Sequence, residues 1–153
     1  MARAELVENL NKALSFELTA ILQYAQHSYL VTGSDNEEFR SYFRAQVKEA
    51  QAHAEFLGDK IVALGGTPTV EPGTIQQSRE LREMLLQNLK LERAAMAAYM
   101  DAWRSCGDDD LATRFWLEAH IVEEQTHIEE FERLTSEREP AGVSNEAVLK
   151  QTG

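Results

Sequence analysis

Chain breakers cluster in only three places ahead of the C-terminal tail: Thr32-Gly-Ser-Asp-Asn36, Gly65-Gly-Thr-Pro-Thr-Val-Glu-Pro-Gly73 and Gly107-Asp-Asp-Asp110. The stretches around them keep apolar residues at three- and four-residue intervals, and none alternates as a strand does. This spacing predicts four long helices, at about 4–31, 36–64, 77–106 and 109–137. Gly65 and Gly107 suit helix C-caps, while Ser34 or Asp35, and Asp108, suit N-caps. The first and last links are short, so the first two helices pair as one antiparallel hairpin and the last two as another. A helix of about 28 residues spans about 42 Å. The middle link, of about 12 residues, stretches to roughly 40 Å and can run the length of such a bundle. The expected fold is all-α: residues 1–153 as a single domain, a four-helix bundle with one long crossover. A polar tail over 138–153 carries at most a short final helix.

A formal net charge of -11 excludes nucleic acid as a partner, because phosphate binding needs clustered Lys and Arg. The chain has one cysteine, Cys106, so it forms no internal disulfide and no thiolate metal cluster. The N-terminal residues alternate charged with apolar side chains and lack a secretory apolar stretch. No apolar run reaches membrane-spanning length. A cytoplasmic location and no membrane partner are expected.

The seams of three helices carry a residue type that a core avoids. They read Leu10, Leu14, Glu17, Ile21, Tyr24 in the first helix and Leu85, Leu89, Glu92, Met96, Tyr99 in the third. In the fourth they read Leu117, Ile121, Glu124, Ile128, Phe131. The steps of 4, 3 and 4 residues define one buried face, so each helix sets one glutamate in an apolar seam. A buried carboxylate must be protonated, paired or bound to a cation. No lysine or arginine lies on these seams, and a metal accounts for several converging carboxylates at once.

Histidine extends the pattern. His127 follows Glu124 by one turn, and His53 occupies the matching place in the second helix. Leu14, Glu17, Ile21 and Tyr24 recur 75 positions later as Leu89, Glu92, Met96 and Tyr99, and His53 recurs 74 positions later as His127. The hairpins therefore read as copies of one unit, which places two related metal sites between them. Glu17 and Glu49 stand 16 residues either side of Gly33, and Glu92 and Glu124 stand 15 and 17 either side of Gly107, so all four meet near mid-bundle. Mixed oxygen and imidazole donors suit iron or manganese and tolerate zinc or cobalt.

Several of these pieces resemble the bacterioferritin and ferritin-like family: Phe16-Glu-Leu-Thr-Ala-Ile-Leu-Gln-Tyr24, His53-Ala-Glu-Phe-Leu57, Leu64-Gly-Gly66, Leu91-Glu-Arg93 and Glu124-Gln-Thr-His127. The resemblance spans roughly residues 5–135. It implies a di-iron centre with Glu17 and His53 at the first iron, Glu92 and His127 at the second, and Glu124 as a bridge. It also implies a second bridging glutamate three residues before His53, where this chain has Ala50. Glu49 is a candidate to fill that gap, as are Gln46 and water. Haem-binding members use a methionine where Gln51 stands, so no haem is expected by that mode.

The function implied is binding and oxidation of Fe(II) by dioxygen or peroxide, with Glu17, Glu92 and Glu124 as the reactive carboxylates. Iron storage or detoxification in a homo-oligomer, a dimer at least, belongs to the same expectation. Two alternatives stand beside it. One is a di-iron oxidase, oxygenase or peroxidase acting on a small substrate, and the other a metal-free interaction protein whose site has decayed at Ala50. His120, one turn before Glu124, reads more economically as structural than as an extra ligand. His27, Tyr24 and Tyr99 read as core residues, Trp103 and Trp116 as packing or interface residues, and Asp108–Asp110 as helix capping.

Overall fold

The structure, a computed structural model, describes residues 2–136. In it the apolar seams close on one another as two cores stacked along a bundle, with a polar layer between them. Four helices carry the seams: α1 (Ala2–Leu30), α2 (Glu37–Ala63), α3 (Leu81–Ser105) and α4 (Leu111–Thr135). No strand occurs among the described residues, and the expected short final helix lies outside them. Leu6, Leu10, Leu57, Ile61, Tyr99 and Leu117 centre one core. Tyr24, Phe43, Met84, Leu85, Leu89 and Phe131 centre the other. None of these helices is long and apolar enough to cross a membrane.

α1 packs closely on α2 and on α3, and α3 on α4, whereas no Cα atom of α2 comes within 8 Å of α4. Large side chains span that wider interval. Phe56 stacks on Trp116 at 3.8 Å, the Tyr42 and Phe131 rings meet edge-on at 5.9 Å, and His53 meets His120 at 4.1 Å. The bundle is therefore most open along α2 and α4, where His53, His120 and His127 lie.

The crossover is a strap fastened to α1. Polar residues of α1 at three- and four-residue steps bond it in sequence. Asn11 donates to Thr67 O (3.1 Å) and accepts from Thr69 N (2.8 Å), and Ser15 donates to Glu71 O (2.8 Å). Thr19 accepts from Gly73 N (2.8 Å), and Gln23 accepts from Gln76 N (3.0 Å). Gln26 and Gln77 bond at 2.9 Å. This fastening explains why α3 starts at Leu81, four residues later than the spacing predicts. Gln76 and Gln77 are held against α1, and the helix begins where Met84 N donates to Glu80 O.

The caps differ from expectation at three of four ends. Gly65 closes α2 as expected, with φ 86° and with Gly65 N and Gly66 N donating to Val62 O and Ile61 O. Gly107 makes no left-handed turn, because α3 has already ended at an extended Cys106. Ser34 and Asp35 lie inside a 3-10 turn, leaving Asn36 to precede α2. Asp110, two residues after the expected Asp108, caps α4 by accepting from Thr113 N (3.2 Å) and Thr113 Oγ1 (2.7 Å).

Candidate metal centre

The three seam glutamates are all buried between the two cores, at 4 % exposure for Glu17, 5 % for Glu92 and 3 % for Glu124. They converge, together with histidines, into two groups whose candidate donor atoms each lie within 4.8 Å of one another. The first group is Glu17, His53, His120 and Glu124, and the second is Glu92, Glu124 and His127. Glu124 belongs to both. All of these residues but His120 line a cavity of ≈ 20 Å³, whose lining includes all six ligands expected from sequence: Glu17, Glu49, His53, Glu92, Glu124 and His127.

Two tyrosines tie the hairpins together at this level. Tyr24, on α1, donates to Glu92 Oε1 on α3 at 2.5 Å, and Tyr99, on α3, donates to Glu17 Oε1 on α1 at 2.6 Å. Burial and then the facing carboxylates push both phenols well above their ordinary range, so they remain protonated donors. Both residues are core, as expected, and each also orients a carboxylate.

The electrostatics are those of acids crowded out of water. Burial, and then the adjoining Glu124 carboxyl, hold Glu92 well above the usual carboxylate range. Burial pushes Glu124 up to about 7 despite a hydrogen bond from Glu92 that pulls the other way. His120 is driven down to about 4 by burial and by the neighbouring His53. Burial also pulls on His53, but Glu17, Glu123 and Glu49 together leave it above its ordinary value.

Two buried polar atoms of the centre make no hydrogen bond: Glu124 Oε2 and His120 Nε2. His120 Nε2 nevertheless lies 3.2 Å from Glu124 Oε1 and 3.6 Å from Glu17 Oε1. Lone-pair donors gathered at this distance without mutual hydrogen bonds can be satisfied together by a cation. The residues therefore fit a metal pair. Carboxylate and imidazole donors of this kind suit first-row divalent metals.

Glu49 takes a different place from the one expected of a ligand. It is half exposed, belongs to neither converging group, and sets Oε2 3.3 Å from His127 Nε2. Glu123 does the same at the first position, 3.4 Å from His53 Nε2. His127 and His53 thus each present one ring nitrogen to a solvent-side carboxylate, an arrangement that fixes ring orientation. Gln46 is buried and lines the cavity, and Ala50 adds only a methyl group there.

Sequence reading assigned His120 a structural role and gave Glu123 none. Both were findable. The 74-residue offset that pairs His53 with His127 also pairs Glu49 with Glu123, Ala50 with Glu124, and Gln46 with His120. His27 is a core residue as expected, fully buried with Nε2 3.0 Å from Gln87 Oε1. Trp116 stacks on His120, and Trp103 donates to Glu118 beneath the Arg114 guanidinium.

The family model for the ferritin-like domain matches residues 7–139. The chain belongs to the ferritin-like family. It is 29 % identical over 136 residues to the bacterioferritin of Desulfovibrio desulfuricans, covering 88 % of this chain and 76 % of that one. It is 31 % identical over 125 residues to the bacterial ferritin of Pseudomonas aeruginosa, covering 80 % and 81 %. A solved structure of ferritin-like, diiron-carboxylate proteins from Bacillus anthracis superposes with a TM-score of 0.84 at 31 % identity, covering 88 % of this chain and 98 % of that one. The D. desulfuricans bacterioferritin, solved with its diiron site in different catalytic states, superposes with a TM-score of 0.80 at 29 % identity, covering 88 % and 80 %. As in any ferritin-like chain, one long crossover joins two helical hairpins.

Proposed function

We propose that this ferritin-like chain binds two iron ions between its hairpins and oxidises Fe(II), handling iron for storage or detoxification in a homo-oligomer. The observation that carries the reading is Glu124, a buried carboxylate common to both donor groups with Oε2 unpartnered. Glu17 and His53 hold the first position, Glu92 and His127 the second, and Glu124 lies between them. Iron held there would give up one electron per ion in passing from Fe(II) to Fe(III), with dioxygen or peroxide accepting the electrons. The three carboxylates offset the growing positive charge, and Tyr24 and Tyr99 keep Glu92 and Glu17 aimed inward. Glu49 acts here by steadying His127 rather than as a ligand. Manganese or zinc can take the same donors.

The cavity between the donors, at ≈ 20 Å³, has room for about one water-sized molecule, and a wider hollow of ≈ 360 Å³ lies beside it against Glu49, His53, Glu123 and His127.

The test is anaerobic Fe(II) titration followed by oxygen, with native protein and with Glu92→Ala. The reading expects two Fe(II) per chain and a ferric absorption band in native protein, with both reduced in the variant. Identical behaviour of the two proteins contradicts it. Retention of many more than two irons per chain in a hollow assembly would favour storage over detoxification alone.

A further inference from the structure

We propose that His120 is itself a metal ligand at the first position, adding a nitrogen donor to a centre from which the alanine at 50 withholds a carboxylate. The inference rests on the metal-binding reading above. It makes the two positions chemically unlike, and three observations support it.

The first is symmetry and its breach. The second helices of the two hairpins repeat with an offset of 74 residues, so α2 should offer at 46 and 50 what α4 offers at 120 and 124. Instead α4 carries His120 and Glu124, while α2 carries Gln46 and Ala50. One hairpin lacks the carboxylate, and the other holds the additional imidazole. The charge of one carboxylate is lost to the centre and a neutral nitrogen donor is gained.

The second is geometry. His120 is 3 % exposed, and its Nε2 faces Glu17 Oε1 and Glu124 Oε1 at 3.6 and 3.2 Å without bonding to either. Its donor atom and those of Glu17, His53 and Glu124 lie within 4.8 Å of one another, the mutual spacing of atoms around one ion. The core residue His27 also leaves its Nδ1 unpartnered, so what sets His120 apart is that its open nitrogen faces two carboxylate oxygens.

The third is positioning. Trp116 lies parallel to the His120 ring, 3° between planes at 5.2 Å, and Tyr99 packs against it at 4.0 Å. Nδ1 lies 3.6 Å from Glu123 Oε2, the oxygen that also lies 3.4 Å from His53 Nε2. A ring held on its faces, with a carboxylate towards its far nitrogen, is a ring whose near nitrogen is aimed. His120 stands on the Tyr99 side of the centre and does not line the cavity that opens towards Ala50. It therefore reaches the first position from behind rather than from the place of the missing carboxylate.

The first position thus has two nitrogens and two oxygens, and the second one nitrogen and two oxygens, with the Gln46 amide nearby. Nitrogen-richer sites favour later divalent metals such as cobalt and zinc, so the first position should fill first with Co(II).

Metal-free protein titrated with Co(II), followed by visible absorption and calorimetry, tests this. Native protein should bind two Co(II) per chain with unequal affinities. His120→Ala should weaken the tighter site by roughly 10–100-fold or more and leave the other unchanged. Restoring the carboxylate in Ala50→Glu/His120→Ala should recover two-site binding. Native protein that binds two Co(II) beside a variant that binds two with unchanged affinities overturns the role of His120 and leaves the metal centre standing. Native protein that binds no Co(II) overturns both. Proton NMR of Co(II)-loaded native protein, with histidine labelled, gives a measurement free of any folding defect in the variants. Three paramagnetically shifted imidazoles are expected, from His53, His120 and His127, and two would overturn the proposal.

Discussion

Glu124 and His120 are shifted in opposite directions by the same burial, and the consequences for stability are opposite too. Glu124 is raised from 4.5 to about 7. In the metal-free protein its contribution is complete below about pH 4.5 and is lost as pH rises through about 7, amounting to about 3 kcal/mol. His120 is lowered from 6.5 to about 4, so its contribution is present above pH 6.5 and is lost as pH falls towards 4. Metal-free protein should therefore melt highest between these limits. Glu124→Gln should remove the alkaline decline, raising the midpoint at pH 8 by on the order of 5–10 °C while changing it little at pH 4. Calorimetry across that range checks this, and a uniform shift at every pH would contradict it. The crossed tyrosines supply a matched pair of outcomes. Tyr24→Phe and Tyr99→Phe each leave a buried carboxylate oxygen without its donor, and each should lower stability by about 1–3 kcal/mol in denaturant unfolding. A large cost for one and none for the other would show that the hairpins do not share the load.

Among the elements, the strap is what sequence alone could least resolve. Asn11, Ser15, Thr19, Gln23 and Gln26 lie on one face of α1, yet a polar stripe on a helix reads as a solvated face until the chain that covers it is known. The breakers between Gly65 and Gly73 showed that the segment crosses the bundle, but not that it would be bonded down along its way. For the same reason the start of α3 was misplaced, because Gln76 and Gln77 have good helical character and only their bonds to α1 hold them out of the helix. Asn11→Ala removes two of the fastenings and should cost about 1–3 kcal/mol. It should also speed proteolytic cleavage near residues 67–73, read by mass spectrometry. Unchanged cleavage would mean that the strap is held by its apolar contacts instead. The helices themselves were legible, because apolar periodicity sustained over 25 residues or more admits little else.

Across the whole molecule, the two hairpins bring unlike contributions to a shared layer of acids. Glu17, Glu92 and Glu124 were readable in sequence because a carboxylate in an apolar seam contradicts its surroundings, and the structure brings all three together. His120 was not read as a donor, because a single buried histidine is ordinarily a packed core residue. The repeat also sets a glutamine, Gln46, against it in α2, so no matching histidine marked the position as a donor. Cations between the hairpins would both neutralise the buried acids and link the four helices, so folding, protonation and metal binding should be coupled. Anaerobic calorimetric titration of Fe(II) into metal-free protein at about pH 6, repeated in buffers of different ionisation enthalpy, measures that coupling directly. The account predicts two Fe(II) bound per chain with release of protons from Glu92 and Glu124. Binding of no iron, or of two irons with no proton released, would contradict it.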